Sequence, residues 1–411
     1  MPARRLKIAM LSVHSCPVGE LGTKDTGGMS VYVRELARAL GNRGHTVDIF
    51  TRLHDPKDSQ IMELGDNARL IHIKAGYNGD MHKMAIYPHL ADFLTALENF
   101  RKHDARKYDL VHSHYWLSGW VGGKVQDLWA IPHIAMFHTL GAVKNAIGVG
   151  EKEPELRVAT ETEIIKSCHR IIAATKREKE ELMRYYNAVP ETIGVVPCGV
   201  NLELFKPVDK KTAREQLGLN HERKIILYVG RIDPLKGVDR LITAGAYLKN
   251  KYGLKLIIIG GDDQLKPEWQ RLKKLSHKLR FQDSVTFVGR IKQEELPLFY
   301  SAADVLVIAS HHESFGLVAL ESLACGTPVV ATKVGGIEGI LRQGETGYVV
   351  TDDVPRSLAT KITQILSRPH PGLNPPDSIR ASITGFSWSN IADAMIEEYA
   401  FMLKHGIAQA A

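Results

Sequence analysis

Residues 311–336 read HHESFGLVALESLACGTPVVATKVGG, and this stretch decides the predicted fold. It follows an apolar run at residues 305–309, which is typical of a buried parallel strand. Leu317, Leu320 and Ala324 then repeat at helical spacing and predict an amphipathic helix. A buried strand that leads directly into such a helix predicts one unit of a parallel α/β sheet.

Two carboxylates, Glu313 and Glu321, accompany this helix. Eight helical steps of about 100° would place the second about 80° round from the first and about two turns further on. A helix N-terminus offers free backbone N–H groups and a positive dipole end to an anion. The carboxylates cannot bind a phosphate, but their oxygens suit the hydroxyls of a sugar or ribose. The stretch therefore predicts a site where sugar hydroxyls lie beside a phosphate.

Length and composition indicate a globular protein with more than one core. A chain of 411 residues, 44% hydrophobic and 24% charged, is expected to form two or three domains.

No apolar run approaches the ~18 to 20 residues that a membrane span needs. The apolar start at residues 6–13 ends at His14 without a cleavage-like site, which favours a first strand over a signal peptide. Widely spaced cysteines without a CxxC pair favour a reduced, cytoplasmic protein: Cys16, Cys168, Cys198 and Cys325.

The net charge of +7 permits polyanionic partners. However, no dense Lys/Arg block is interleaved with aromatic residues, so anionic small substrates are favoured over nucleic acid. A generally basic surface that implies no partner is the alternative interpretation.

Strand-like apolar runs alternate with helical patterns along the whole chain, which predicts parallel sheets. Strands are predicted at residues 6–13, 46–51, 69–73, 109–113, 133–137, 171–174 and 192–196. After a break at residues 197–207, they are predicted at 225–229, 255–259, 284–288, 304–309, 328–332 and 347–350. This count predicts two doubly wound, Rossmann-like domains that face each other across a cleft. Ligands bind such sheets at the carboxyl ends of the strands, so residues there are the candidate site residues.

The loop after the first strand contains Asp25-Thr26-Gly27-Gly28-Met29-Ser30. Paired glycines at a helix start let backbone N–H groups approach a phosphate or a sugar closely. Glycines at strand–helix turns are also common for steric reasons. The loop lacks the GxGxxG spacing of a dinucleotide site.

Two further strand ends carry histidines. His112 and His114 alternate onto one face of their strand and could ligate zinc, but no supporting ligand is evident, which favours packed histidines. Tyr115 beyond them offers a hydroxyl to a ligand or forms part of a wall. His138, at the end of the next strand, could act as an acid, a base or a hydrogen-bond donor to a sugar, and a structural role is the alternative.

Two pairs of charged residues complete the candidates. Arg157 and Glu161 stand one helical turn apart, and the pair taken alone favours an ordinary surface ion pair. Arg231 ends a buried strand, and Lys236 follows it at a predicted helix start. Two cations at one strand–helix corner suit a diphosphate, while a solvated charge pair is the alternative.

The chain resembles the retaining, family-4-type glycosyltransferases of GT-B fold over nearly its whole length. The resemblance rests on Gly27-Gly28, His138, Arg231 with Lys236, Glu313-x(7)-Glu321, GTPVV at residues 326–330 and Gly335-Gly336. Within the family it looks most like the D-inositol-3-phosphate glycosyltransferases of mycothiol synthesis. That likeness lies in HSCPVGELGTKDTGGMSVYV, HSHYWLSGWVG, FHTLGAVKN and ESFGLVALESLACGTPVV.

This resemblance implies an acceptor-binding domain at residues 1–200 and a nucleotide-sugar-binding domain at residues 201–385. It implies that residues 386–411 form a helix that crosses back to the first domain. It places Arg231 and Lys236 on the donor diphosphate, Glu321 on the ribose, Glu313 on the transferred sugar and His138 near the reacting carbon. The other implied donor contacts are Gly28, Phe315, Gly316 and Leu317. The implied acceptor contacts are His14, Asp25, Thr26, Gly27, Ser30, Lys83, Tyr115, Thr139 and Arg157.

The expected activity is transfer of GlcNAc or glucose, with retained configuration, from a UDP-sugar to a phosphorylated acceptor. The first expectation for the acceptor is 1D-myo-inositol 3-phosphate. Ser30 replaces the Asn of the mycothiol enzymes, which leaves the identity of the acceptor less defined than its phosphate. Transfer to fructose 6-phosphate is an alternative, since sucrose-phosphate-synthase-type enzymes share the scaffold and use a similar acceptor. An epimerase and a non-catalytic UDP-sugar-binding protein are alternatives of other classes.

The resemblance implies no cofactor beyond the UDP-sugar co-substrate. No metal ligands are predicted, and the binding of Mg²⁺ is left open. The predicted partners are these two substrates, without nucleic acid or a membrane span, and a homodimer is one alternative for the assembly. The predicted location is cytoplasmic.

Overall fold

The structure is a computed structural model that describes residues 4–19, 26–77, 79, 81–261, 267–367 and 374–405. Its described residues form two sheets with helices on their faces. Asp25, an implied acceptor contact, lies outside the described residues.

The first sheet has eight strands in the order β3-β4-β2-β1-β5-β6-β7-β8. All neighbours pair in parallel except β3 and β4, which are antiparallel. The strands are β1 (Lys7–Leu11), β2 (Thr46–Arg52), β3 (Ile61–Gly65), β4 (Ala68–Ile73), β5 (Leu110–His114), β6 (His133–Met136), β7 (Arg170–Ala173) and β8 (Ile193–Val195). The helices of this half are α1 (Gly28–Gly41), α2 (Lys83–Ile86), α3 (Leu90–His103), α4 (Trp116–Trp129), α5 (Gly141–Ile147), α6 (Glu155–Ser167) and α7 (Lys176–Tyr186).

The second sheet has six strands, all parallel, in the order β11-β10-β9-β12-β13-β14. They are β9 (Lys224–Val229), β10 (Leu254–Ile259), β11 (Val285–Gly289), β12 (Val305–Ile308), β13 (Val329–Thr332) and β14 (Gly347–Val350). The helices of this half are α8 (Lys210–Gln216), α9 (Val238–Leu248), α10 (Pro267–Lys278), α11 (Leu296–Ala302), α12 (Leu317–Ala324), α13 (Ile337–Ile340), α14 (Pro355–Leu366), α15 (Pro376–Ala381) and α16 (Trp388–His405). Short 3-10 helices lie at Tyr87–His89, Pro190–Thr192, Pro234–Lys236, Gln282–Ser284, Gln293–Glu295 and Thr384–Phe386.

These two sheets, parallel except for the edge strand β3, confirm the predicted fold class. Their central strands are runs of branched and aliphatic residues because helices cover both faces, and Ile8, Ile49 and Leu227 are fully buried. Strand β3 was not predicted, since only Leu64 in it is buried and its other side chains give no apolar run.

The last helix, α16, packs against the first sheet. The Tyr399 hydroxyl lies 2.8 Å from Nδ1 of His112 on β5, and Glu398 forms a 2.6 Å ion pair with Arg170 on β7. The chain therefore passes between the two halves twice, near residue 200 and again near residue 387. The exact domain limits stay a prediction.

The topology brings the candidate loops together. In the first sheet β1, β5 and β6 are neighbours, and their carboxyl ends lead to His14, Tyr115 and His138. In the second sheet β9 and β12 are neighbours, and their carboxyl ends lead to Arg231 and Glu313. Neighbouring parallel strands end at the same sheet edge, so each half contributes one cluster of polar groups.

Candidate active site

The second half contributes a partly buried ion pair. Lys236 Nζ donates to Glu313 Oε1 at 2.7 Å, and the Ser310 hydroxyl donates to the same oxygen at 2.8 Å. Burial raises the pKa of Glu313, but the charge and hydrogen bond of Lys236 more than offset this, so the pKa lies below its ordinary value. Glu313 is therefore an anion that neutralises Lys236.

Two local details differ from the sequence prediction. Helix α12 begins at Leu317 after Gly316, whose φ is +110°, so Glu313 lies in the preceding loop and the expected 80° relation to Glu321 is wrong. Lys236 ends a 3-10 turn, and α9 begins at Val238, because Gly237 adopts a left-handed conformation between them.

Gly237 makes a close approach that only glycine permits. A Cβ atom there would lie 2.1 Å from the carbonyl oxygen of Ala309, and φ is +61°. We expect Gly237→Ala to lower the free energy of unfolding by about 2–5 kcal/mol, because left-handed strain costs about 1–2 kcal/mol and overpacking adds about 1–3 kcal/mol. Urea denaturation followed by circular dichroism measures this change.

The matched control is Gly339→Ala in α13, where an added Cβ meets nothing within 4 Å and φ is not positive. We expect this variant to be at least as stable as the parent chain, since alanine restricts the unfolded state. Equal stability losses in both variants would contradict the role of Gly237.

Two helix N-termini meet between the halves. A Cβ atom at Gly28, the first residue of α1, would lie 3.1 Å from Cδ1 of Leu317, the first residue of α12. Phe315, just before α12, is buried. Arg231 is exposed, and its carbonyl oxygen accepts a 2.7 Å hydrogen bond from the Tyr228 hydroxyl. The two dipoles and the cations Lys236 and Arg231, which follow the neighbouring strand β9, make this region suitable for a diphosphate.

Glu321 lies on the buried flank of α12. Its Oε2 accepts a 2.7 Å hydrogen bond from the Tyr300 hydroxyl, and burial raises its pKa to about 7. A pocket beside it is lined from both halves, and Arg34 on α1 donates across the pocket to Gln293 Oε1 at 2.9 Å. A buried acid that reaches an open pocket is suited to paired hydroxyls, as in a ribose.

His138 sits in a strained turn. Its φ is +60°, and the N–H of Thr139 donates to the carbonyl oxygen of Phe137 at 2.7 Å, which closes a γ-turn. Such backbone strain clusters at functional sites. Its Nε2 lies 3.0 Å from Nδ1 of His114, and burial lowers the pKa of His138 to about 3, so the ring is neutral.

One cavity joins the two halves at this point. It is lined by His138 and Thr139 from the first half and by Glu313, Ser314 and Gly335 from the second. The structure therefore brings the candidate acceptor and donor residues to the same cleft.

Arg157 and Glu161 are almost completely buried, with exposed side-chain fractions of 1% and 0%, so the surface-pair interpretation is wrong. Arg157 Nε donates to Glu161 Oε1 at 2.7 Å. Its Nη2 donates to the carbonyl oxygen and hydroxyl of Thr139 at 2.7 and 3.0 Å. The guanidinium carbon lies 4.8 Å from the ring centre of Tyr115.

Three cations, Lys83, Lys144 and Arg157, form what we call the acceptor cation cluster. They surround the carboxylate of Glu153. Lys83 and Lys144 keep 23% and 20% of their side chains exposed, so the cluster opens toward solvent on one side. Such a cluster is chemically suited to a phosphate.

The remaining acceptor candidates differ in their surroundings. His14 stacks against Tyr115 at 4.3 Å between ring centres, and its buried Nδ1 has no hydrogen-bond partner among the described residues. Thr26 is mostly buried beside Gly27 at the start of α1. Ser30 is fully buried, and its hydroxyl lies 2.5 Å from that of Ser15, so it does not line the open cleft.

Several residues of the site were not assigned from the sequence. They are His114 beside His138, Gln293 and Tyr300 near Glu321, and Lys144 with Glu153 in the acceptor cation cluster. Lys144 and Glu153 lie only nine residues apart, but no periodic pattern marks them, because their contact depends on the loop between α5 and α6.

Residues 26–204 match the family described as Glycosyltransferase Family 4, and residues 209–380 match Glycosyl transferases group 1. D-inositol 3-phosphate glycosyltransferase 2 of Catenulispora acidiphila is 38% identical over 402 residues, which cover 96% of this chain and 94% of that protein. The chain belongs to the family-4 glycosyltransferases. A second member, D-inositol 3-phosphate glycosyltransferase of Mycobacteroides abscessus, is 38% identical and is matched over 96% of this chain and 88% of its own length.

Among solved structures, this family-4 glycosyltransferase is similar to sucrose-phosphate synthase of Thermosynechococcus elongatus. The TM-score is 0.89 at 35% identity, covering 97% of this chain and 100% of that chain. The predicted GT-B class is confirmed. The protein is an enzyme that transfers a sugar from a nucleotide sugar.

Within the described residues, no helix is long and apolar enough to cross a membrane. No group of three or more His, Cys, Asp or Glu residues suited to a metal ion occurs in that part of the chain.

Proposed function

We propose that this enzyme transfers a sugar from a UDP-sugar to a hydroxyl of a phosphorylated polyol, with retention of anomeric configuration. The first candidate for the acceptor is 1D-myo-inositol 3-phosphate, as in the names of the curated relatives. The observation that carries the proposal is the acceptor cation cluster, in which Arg157 also donates to Thr139, the residue after His138.

The donor side binds the nucleotide and stabilises the leaving group. Lys236, Arg231 and the two helix N-termini at Gly28 and Leu317 face the charge that develops on the departing diphosphate. One preorganised donor of this kind is worth about 3 kcal/mol of transition-state stabilisation. Glu321 accepts from the ribose hydroxyls, and Glu313 orients the transferred sugar.

The carboxylates that line the cavity beside His138 are already engaged. Glu313 pairs with Lys236, Glu181 pairs with Arg177, and Glu178 Oε2 accepts from the N–H of Ala174 at 2.7 Å. This arrangement supports front-face attack over a double displacement, which needs an available carboxylate nucleophile.

His138 contributes orientation. With a pKa of about 3, its neutral ring is a weak base at neutral pH. In the proposed step the acceptor hydroxyl attacks the anomeric carbon from the side of the leaving group. The bond to the diphosphate breaks, and a diphosphate oxygen takes the hydroxyl proton.

A second candidate is transfer of glucose to fructose 6-phosphate. The likeness to sucrose-phosphate synthase at 35% identity favours it, and the buried Ser30 leaves the ring contacts of the acceptor unassigned.

The test offers the purified enzyme UDP-GlcNAc or UDP-glucose with inositol 3-phosphate or fructose 6-phosphate. We expect one phosphorylated acceptor to give a new product by mass spectrometry, with the donor's anomeric configuration by proton NMR. myo-Inositol and fructose serve as acceptors without phosphate, and donor alone reveals epimerisation. Transfer to the uncharged acceptors with equal efficiency, or inversion at the anomeric carbon, would contradict the proposal.

A further inference from the structure

Glu153 lies at the centre of the acceptor cation cluster. Lys83 Nζ donates to both of its oxygens, at 3.1 and 3.0 Å, and Lys144 pairs with Oε1. Arg157 Nη1 is 2.9 Å from Oε2. The side chain is only 3% exposed. A carboxylate of this chain therefore occupies the place that the cations offer to a ligand anion.

The backbone holds Glu153 in this position. Its N–H donates to Asn145 Oδ1 at 2.7 Å, and its carbonyl oxygen accepts from Asn145 Nδ2 at 3.1 Å. The three cations come from different helices, α2, α5 and α6. Leaving the cluster would therefore require rotation of the Glu153 side chain, since Asn145 holds its backbone.

The Glu153 carboxylate does not form a hydrogen bond with every polar group of the acceptor site. Arg157 Nη1 makes no hydrogen bond to the described residues, although it lies close to Glu153. Nδ1 of the nearby His14 is likewise buried without a hydrogen-bond partner among those residues. A phosphate has three terminal oxygens and a charge of about −1.5 to −2 at pH 7, so it can accept from Arg157 Nη1 as well as from the two lysines.

The net charge of the cluster also favours a phosphate as its ligand. Three cations against Glu153 and Glu161 leave a net charge of +1. When Glu153 turns away, the net charge becomes +2, which matches a phosphate dianion. An uncharged acceptor that displaced Glu153 would leave partly buried cations without a counter-ion, which is unfavourable.

We infer that Glu153 is a specificity-determining residue. Its carboxylate occupies the anion position of the acceptor site, and the phosphate group of the acceptor displaces it. This inference rests on the proposed function. It makes Glu153 a competitor of the acceptor phosphate, in contrast to a structural role in which it holds the cations in place.

The two roles predict opposite effects of Glu153→Gln. Removing the competing charge is expected to lower the Kd of inorganic phosphate about tenfold or more, since a tenfold change corresponds to about 1.4 kcal/mol. Isothermal titration calorimetry with saturating UDP restricts the measurement to the acceptor side. The KM of the phosphorylated acceptor is expected to fall similarly, while the KM of the UDP-sugar stays within about twofold.

The matched control is Glu151→Gln, an exposed residue of the same loop. It removes the same charge from the protein and is expected to change the Kd of phosphate by less than about twofold, because exposed charges are screened. An unchanged or raised Kd of phosphate in Glu153→Gln would overturn the inference.

A structural measurement on the unaltered enzyme covers the case in which the variant does not fold. In a crystal structure with phosphate and UDP, the Glu153 carboxylate is expected to lie beyond about 4 Å from both Lys83 Nζ and Lys144 Nζ. A carboxylate that stays in contact with both lysines while phosphate is bound would overturn the inference.

The proposed function and the inference about Glu153 are tested by different outcomes. If the unaltered enzyme transfers sugar to no phosphorylated acceptor, the proposed function is wrong. If it does transfer but Glu153→Gln does not strengthen phosphate binding, only the inference about Glu153 is wrong.

Discussion

Lys236→Ala is expected to lower kcat for sugar transfer by a factor of about 10² to 10³, the range for removal of one preorganised charge donor at a developing anion. Lys236 ends the 3-10 turn in the loop that follows β9, and its ammonium is held 2.7 Å from Glu313. In the proposed complex the diphosphate binds this cation while Glu313 stays paired with it. Steady-state kinetics with saturating acceptor measure the change.

The substitution also leaves the partly buried Glu313 without its cation, so Lys236→Ala is measured in the Glu313→Gln background as well, where that carboxylate is absent. If the loss came only from an unpaired Glu313, Lys236→Ala would cost no further activity in that background. Lys274→Ala, on the exposed face of α10, is the matched control and is expected to keep parent activity. Turnover of Lys236→Ala near that of the parent enzyme would remove the diphosphate role.

Arg157→Ala is expected to raise the KM of the phosphorylated acceptor about 100-fold or more. Charge-assisted hydrogen bonds are worth about 1.5–3 kcal/mol each, and about 2.7 kcal/mol corresponds to a factor of 100. The KM of the nucleotide sugar should change little, because Arg157 contacts residues of the first half. Kinetics with each substrate varied in turn measure this difference.

Arg157→Ala also leaves Glu153 and Glu161 without their buried cation, which costs about 3–5 kcal/mol of stability. Arg157→Lys is therefore included, since it keeps the charge but loses the planar fork that reaches Glu161 and Thr139 together. Arg184→Ala, exposed on α7, is the control. Equal changes in both KM values for the Arg157 variants would argue against a phosphate site.

The strands were predictable where burial is complete. Strand β14 lies at the predicted residues 347–350, and β13 begins one residue later than expected, because apolar runs with both faces covered have few alternatives. The edge strand β3 was not predicted, because most of its side chains are exposed and give no apolar run in the sequence.

Local conformation limited the prediction of the site. The spacing of Glu313 and Glu321 suggested one helix, but a positive φ at Gly316 delays the start of α12. Arg157 and Glu161 have the spacing of a surface pair, and only the packing of α6 against Thr139 and Tyr115 buries them. Lys83 and Glu153 are 70 residues apart, and their meeting depends on tertiary structure.

The two passages of the chain between the halves lie side by side, since the N–H of Val200 donates to the carbonyl oxygen of Phe386 at 2.8 Å and Val200 pairs with Ser387 in a β-bridge. Two adjacent covalent links act as a hinge with a defined axis, which favours rotation about that axis over sliding or separation. The cleft is then expected to open mainly by this rotation. A single interdomain distance, measured by fluorescence energy transfer, would therefore be enough to follow closure over the nucleotide sugar.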